Sequence, residues 1–318
     1  MDRDELIGML NQDLADEHAS VIRYLIHAYQ AGEDTPLGSM MLSMAREEMW
    51  HMDWLADEIG EMGAEPEMKQ GVYPHDPTSN ASLLRSYIAW EDNLVEAYAA
   101  QAEKVSDPGI ARILMQQSKE SAIHSKRFAA MLEKLGPEAE EPLVLEDTAK
   151  FSPQMTDRLK SEMIGEYRLV LQHLRHAFVF EEDSCPVSSK LELTAMRHMK
   201  HLSHFAEELA EAGHGLEFVH PPIDSSASIE TALQSDLELT EEARERFVEL
   251  SANPEMDAHR GLKVEVDHMI SQEEFLSSTV AGLLSGAKEA PADAGPEETE
   301  GPDAAASSGF TVGSLIEK

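Results

Sequence analysis

The feature that most constrains this chain is an internal repeat of amphipathic segments, offset by about 150 residues. The segment LADEHASVIRYLIHAY in the first half aligns with MIGEYRLVLQHLRHAF in the second, which sets Glu166 opposite Glu17. AREEMWHMDWLADEIGEMG aligns with MRHMKHLSHFAEELAEAG, which sets His201 opposite His51. Apolar residues recur in both halves at the spacing of helices that bury one face. The repeat therefore predicts an all-α chain built from two tandem four-helix bundles.

Turn and linker residues predict where these units begin and end. The helices of the first half are expected at 2–32, 36–63, 79–105 and 108–135, with a long connection at 64–78. The whole chain divides into five parts: a bundle at 1–136, a linker at 137–153, a second bundle at 154–285, a segment at 286–308 and an end at 309–318. Ala, Pro, Gly and acidic residues fill 286–308 without periodicity, which is typical of a disordered tether.

Composition excludes several classes of function. The formal net charge of −36 disfavours nucleic acid and anionic membranes as partners and attracts cations. A single cysteine, Cys185, excludes a disulfide framework and a four-thiolate zinc or iron centre. The N-terminus lacks the pattern of a signal peptide, and no apolar run is long enough to span a bilayer. We therefore expect a cytoplasmic protein.

Ionisable residues interrupt the apolar stripe of every helix in the first half. They are Glu17, Glu48, His51, Glu91 and His124. Buried carboxylates and imidazoles are costly unless they are paired or bind metal, so one alternative is a polar network that fixes helix register. Carboxylates with one imidazole per ion suit two iron ions, with open positions that admit oxygen or peroxide. We expect a dinuclear metal site.

The second half offers an altered set, Glu166, His198, His201, Glu265 and His268. His198 stands where the first half has Glu48, and Thr240 stands where it has Glu91. This set has fewer carboxylates than the first half, so it has too little negative charge to neutralise two Fe³⁺ ions. A mononuclear or zinc-like site, or a relic without metal, is therefore an alternative to a second working di-iron site.

With Glu17, the Glu48-x-x-His51 motif, Glu91 and His124, the chain resembles the bacterioferritin branch of the ferritin-like superfamily, over about 1–285. The resemblance implies these five residues as ligands of a di-iron centre that oxidises Fe²⁺ and supplies ferric mineral. Helix four departs from the family, because its Glu-x-x-His appears as Ser121-x-x-His124. Glu120 is a candidate replacement ligand.

The same resemblance suggests a haem site. Bacterioferritins place a methionine after the helix-two glutamate, and paired copies ligate haem across a two-fold interface. Met49 holds that place here and Met199 holds it in the repeat, so the two could hold one haem within a single chain. Ordinary interface methionines are the alternative.

The C-terminal residues Phe310, Val312, Gly313, Leu315 and Ile316 resemble the cargo-loading peptide of encapsulin systems. Such peptides follow a flexible tether and dock their apolar side chains on the inner shell wall. The expected function is thus a ferroxidase cargo protein inside an encapsulin nanocompartment, and the chain itself could form homo-oligomers. The alternatives are a rubrerythrin-like peroxidase, for which the single cysteine leaves no rubredoxin donor in the chain, and a non-catalytic metal carrier.

Overall fold

A computed structural model of the chain describes residues 1–181, 184–226 and 228–289. These residues form eight α-helices and no strand. In chain order the helices are α1 (Arg3–Ala31), α2 (Pro36–Glu61), α3 (Asn80–Ala102), α4 (Pro108–Leu135), α5 (Pro153–Val179), α6 (Cys185–Glu211), α7 (Ile229–Ser251) and α8 (Arg260–Glu289). The all-α expectation is confirmed over the described part of the chain.

Side-chain caps fix where the helices begin. Asp2 and Glu5 form a capping box at the start of α1. Thr35 caps α2 and Asp107 caps α4, and in both helices a proline occupies the first position. α1 ends at Gly32, whose φ of 82° is open to glycine without strain. These caps satisfy backbone groups that would otherwise be unpaired at the helix ends.

In each half, helices that are consecutive in the chain pack against each other as two pairs. α1 packs along α2 and α3 along α4, and contacts between α2 and α4 join the two pairs. The second half repeats this with α5 on α6 and α7 on α8. Residues 62–79 cross from α2 to α3 in an extended path over α1, where the Gly71 amide donates to the Ala15 carbonyl at 2.8 Å. A β-carbon on Gly71 would lie 2.7 Å from that oxygen, so only glycine fits this close approach.

Asn253-Pro254 resembles Asp107-Pro108, which predicts that the last helix begins at Pro254, and the second bundle is expected to end at 285. The helix departs from both expected bounds. Asn253 caps a short 3₁₀ helix at Pro254–Asp257, and α8 begins only at Arg260. Eight residues therefore separate α7 from α8, whereas five separate α3 from α4. α8 then continues to Glu289, into the start of the segment expected to be a tether. Because of these three extra residues, equivalent positions of α4 and α8 are 152 residues apart, whereas equivalent positions of α3 and α7 are 149 apart. We call this offset the repeat register.

The two halves share one apolar core. Side chains from both, among them Leu14, Leu55, Leu159 and Phe205, belong to the same buried cluster. α1 contacts α6 and α2 contacts α5, and Arg175 binds Glu65 across the boundary at 2.7 Å. His18 and Tyr167 occupy equivalent repeat positions and contact each other at 2.7 Å. Equivalent residues can meet only near an axis that relates the repeats, so the bundles pack about a pseudo-two-fold axis.

No helix in the described ranges is long and apolar enough to cross a bilayer. The peptide at 309–318 and nearly all of the segment at 286–308 lie outside the described residues.

Candidate metal centres

The first bundle gathers its five sequence-predicted groups at one buried point. Glu17 comes from α1, Glu48 and His51 from α2, Glu91 from α3 and His124 from α4, and none is more than 1% exposed. Their donor atoms form two three-residue groups that share Glu48, one with Glu17 and His51 and the other with Glu91 and His124. Within each group the donor atoms lie within 4.8 Å of one another, close enough to bind one ion.

Glu48 bridges the two groups. Its Oε2 lies 2.8 Å from His51 Nδ1 and its Oε1 lies 2.9 Å from His124 Nδ1. Glu17 Oε1 is 3.5 Å from His51 Nδ1, and Glu91 Oε1 is 3.7 Å from His124 Nδ1. The two imidazole rings stack with their centroids 5.9 Å apart. Each carboxylate oxygen of Glu48 thus serves one group, the role of a carboxylate that bridges two metal ions.

The outer nitrogens of the two histidines are held by carboxylates near the surface. His51 Nε2 lies 2.7 Å from Glu120 Oε2, and His124 Nε2 lies 3.0 Å from Glu47 Oε2. A proton shared on that side leaves each Nδ1 lone pair directed inward, as a metal ligand requires. The structure therefore places Glu120 behind His51, outside the two groups, and not in the ligand position the sequence suggested. Glu47 was not anticipated, although it directly precedes Glu48.

Two buried tyrosines orient the carboxylates of Glu17 and Glu91, which each belong to only one of the two groups. Tyr98 donates its hydroxyl hydrogen to Glu17, and Tyr24 donates to Glu91 Oε1 at 2.5 Å. Both rings lie on the apolar stripes of their helices, and sequence spacing shows which face a side chain occupies and not which atom its hydroxyl reaches. Ser121, in the family's glutamate position, is fully buried, and its hydroxyl has no hydrogen-bond partner.

The electrostatics of the first centre favour cations. Burial raises the pKa of Glu17 to about 8 and that of Glu91 to about 7, and the charge of Glu48 adds to both shifts. Burial opposes the charge of Glu48 too, but the two imidazoles hold the pKa of that carboxyl below its usual range. Burial lowers the pKa of both imidazoles, yet the neighbouring carboxylates raise it well above the ordinary value. Without metal, the centre balances its charge by holding protons.

The residues fit a bound metal pair. Both oxygens of Glu48, one oxygen each of Glu17 and Glu91, and both inner histidine nitrogens are buried without a hydrogen bond of acceptable geometry. Such a concentration of unsatisfied buried groups is rare in folded proteins. Divalent cations would satisfy all of them at once.

The second bundle gathers a different set. Glu166, His198, His201 and Glu273 form one group whose donor atoms lie within 4.8 Å of one another. Glu166 Oε2 is 2.9 Å from His198 Nδ1, and Glu273 Oε1 is 3.0 Å from His201 Nδ1. All four side chains are buried.

Glu265 and His268, which the sequence suggested as ligands, do not reach this group. Glu265 is half exposed and binds His204 at 3.0 Å, and His268 is exposed and contacts the amide of Gln272. The buried stripe of α8 runs through Leu262, Val266, Met269, Glu273, Leu276 and Val280. With the 152-residue register, Glu273 is the counterpart of Ser121 and Leu276 that of His124. The longer connection between α7 and α8 could have indicated Glu273 as the ligand. The expectation that the last helix begins at Pro254 concealed this difference in length.

The two methionines considered for haem are both half buried. Met49 packs against the core cluster that spans the two bundles. Met199 occupies the equivalent position on α6. The haem suggestion stays a prediction.

Comparison with known proteins supports the assignment of the first half. Residues 7–137 match the family described as ferritin-like domain, which covers α1 to α4. This match supports the ferritin-like superfamily for that part of the chain. Neither the curated proteins nor the solved structures gave a significant match.

Proposed function

We propose that this protein oxidises Fe²⁺ at the first-bundle centre and delivers Fe³⁺ for storage inside an encapsulin compartment. The observation that carries the proposal is the pair of three-residue groups sharing Glu48, buried in a bundle that matches the ferritin-like domain. Two Fe²⁺ ions are the substrate, and each gives one electron to an oxidant, either oxygen or peroxide. Hard carboxylate oxygens tolerate both oxidation states of iron.

The residues of the centre divide the work. Glu48 holds the two ions at one separation, which allows a two-electron reduction of one oxidant molecule. His51 and His124 each present Nδ1, held in that tautomer by Glu120 and Glu47. Three carboxylates leave two divalent ions with a net charge of +1, and the small Ser121 leaves space where the family has a fourth. A less neutralised centre holds Fe³⁺ less tightly, which favours release of the product.

The outer acids lie where iron can arrive. The side chains of Glu47 and Glu120 are 25% and 33% exposed, whereas the inner ligands are closed to solvent. Arg127 binds Glu47 at 2.6 Å and partly neutralises it, whereas Glu120 contacts His51 and Gln116 and pairs with no arginine or lysine in the described part of the chain. Glu120 is therefore the better placed of the two to attract a cation from water. We propose that Fe²⁺ passes beside Glu120 and His51.

The test is Fe²⁺ oxidation under air by the full chain, followed by ferric absorbance. Glu91→Gln removes one charge at the centre with little change in shape, and we expect it to slow oxidation at least about tenfold. The matched control is Glu96→Gln, an exposed acid on the same helix, which should behave as wild type. Equal rates in both variants would overturn the proposal. Binding of Fe²⁺ without oxidation would support the carrier alternative, and peroxide turnover without net iron oxidation would support the peroxidase.

The encapsulin part of the proposal rests on the sequence of 309–318. Co-expression with an encapsulin shell protein should co-purify the full chain inside shells, whereas a chain lacking 309–318 should stay outside. Retention of the shortened chain would refute the role of Phe310 and its neighbours in loading. An absorption spectrum of the same preparation would show a Soret band if Met49 and Met199 hold haem.

A further inference from the structure

We propose that the second bundle binds a single divalent metal ion of zinc type through Glu166, His198, His201 and Glu273, and does not oxidise it. Two imidazole nitrogens and two carboxylate oxygens form a four-ligand set from three helices. Zinc binds both imidazole nitrogen and carboxylate oxygen, and four-fold coordination by protein ligands is typical of a structural rather than a catalytic zinc ion. This inference is independent of the activity proposed for the first bundle.

The Glu273 carboxylate has no hydrogen-bond partner outside this cluster among the described residues. Both oxygens of Glu273 are buried without a hydrogen bond. Glu273 is 0% exposed, so bulk solvent does not reach it. A buried carboxylate without hydrogen bonds is strongly destabilising unless a cation lies beside it. One divalent ion between Glu166 and Glu273 would make the cluster electrically neutral.

The ligands for a second ion are absent from this cluster. Thr240 replaces Glu91, and its hydroxyl donates to the Asp236 carbonyl at 2.8 Å. Leu276 replaces His124, and its side chain belongs to the buried apolar stripe. His198 replaces the bridging Glu48, and an imidazole offers one nitrogen toward this point where a carboxylate offers two oxygens. Within the described residues the only metal-competent group in this half is the one around Glu273.

An arginine occupies the space on the far side of Glu166. Arg246 Nη2 lies 3.7 Å from Glu166 Oε1, and Arg246 Nε lies 3.1 Å from Glu162 Oε2. A fixed positive charge there repels a second metal ion and leaves Glu166 only Oε2 as a ligand. The same charge disfavours Fe³⁺, because a trivalent ion would leave the cluster positive beside the guanidinium.

The surroundings set the tautomer of His201 and restrict the ring of His198. His201 Nε2 lies 2.6 Å from the oxygen of the Gln272 amide, so this nitrogen carries the hydrogen and Nδ1 is free to bind metal. His268 supports the same amide, with its Nε2 3.0 Å from Gln272 Nε2. His198 stacks on His173 with centroids 5.2 Å apart, which restricts rotation of its ring. A rigid ligand set favours a fixed structural ion over a transient substrate.

The test uses the full chain, prepared metal-free and titrated with Co²⁺ and then Zn²⁺. Four-coordinate Co²⁺ gives intense visible bands, whereas the carboxylate-rich first centre should give weak ones. Glu273→Gln should abolish the intense bands, reduce bound Zn²⁺ by one ion per chain and weaken the affinity of that ion at least about 100-fold. Glu265→Gln, on the same helix, should change none of these. Fe²⁺ oxidation should be unaffected by Glu273→Gln, which separates this result from the first-bundle proposal.

Two results would overturn the inference. One is an unchanged Co²⁺ spectrum and an unchanged Zn²⁺ count in Glu273→Gln, and the other is the loss of two ions in that variant. Circular dichroism of the metal-free variant checks that its helices are intact. If that variant unfolds, anomalous scattering at the zinc edge from crystals of the wild-type chain decides the matter, because the inference requires one peak between Glu166 and Glu273.

Discussion

Metal binding at the first centre should release about three protons per chain at pH 7. The titrating groups of the metal-free protein give this number. Neighbouring carboxylates raise the pKa of His51 and His124 against the effect of burial, so each imidazole contributes one proton. Burial raises the pKa of Glu17 to about 8 and of Glu91 to about 7, and together they contribute somewhat more than one. Glu48 is ionised and contributes none.

The sign of the pH dependence follows from the same groups. At pH 8.5 Glu17 and Glu91 have mostly lost their protons, so release should fall toward two. Because metal displaces protons, apparent affinity should rise with pH over this range. The second cluster adds about one proton, since burial lowers the pKa of His201 but Glu166 and Glu273 raise it to about 10.

The assay is anaerobic titration of the metal-free chain with Zn²⁺ in weak buffer with a pH indicator. A Glu273→Gln background removes the contribution of the second cluster. Exposed carboxylates are already ionised at pH 7, so nonspecific binding to the acidic surface releases few protons. Release of less than one proton at saturation would refute the assignment of the first centre as a proton-filled metal site.

Three further perturbations test the fold and the centres. Ser121→Glu should lower the melting temperature of the metal-free chain and slow removal of Fe³⁺ by a chelator, whereas Ser121→Gln should not slow removal, because only the added charge binds metal. Gly38→Ala should lower the free energy of unfolding in denaturant by about 3 kcal/mol, because its β-carbon would lie 2.1 Å from the Gly32 carbonyl oxygen. Gly8→Ala is the control and should stabilise the chain slightly, because a β-carbon there has no atom within 4 Å. Equal effects of the two substitutions would contradict the close approach at Gly38. Burial and the neighbouring acids Asp53 and Glu181 raise the pKa of Asp57 to about 9, so the folded chain loses stability as the pH rises from 4 to 9. Asp57→Asn should therefore stabilise the chain by about 1–3 kcal/mol at pH 8 and by much less at pH 4. Thermal unfolding at the two pH values measures the difference.

Helical periodicity and the repeat were sufficient to predict the architecture. The stripe positions of Glu17, Glu48, His51, Glu91 and His124 follow from side chains three or four residues apart sharing a helix face. Charged groups on a face that must be buried leave few physical solutions. For that reason the sequence predicted a single buried site in the first bundle, and the structure brings these five groups together there.

What the sequence did not determine depends on distances between helices. Glu120 and Glu47 flank the buried face, and only the packing of α2 on α4 places them behind the two imidazoles. Tyr24 and Tyr98 have apolar rings that satisfy the stripe, and their hydroxyls find carboxylates on other helices. Periodicity is a property of one helix, so it does not show which atoms meet across the core.

The second bundle shows the same limit most clearly. Glu265-x-x-His268 has the spacing of a metal motif, yet the phase of α8 directs it away from the cluster and brings Glu273 inward. Three additional residues before α8 set that phase, which the repeat alone did not reveal. The sequence determined that both halves are amphipathic helical bundles with ionisable groups inside. The tertiary structure determined which of those groups converge, because convergence depends on the rotation of each helix about its own axis.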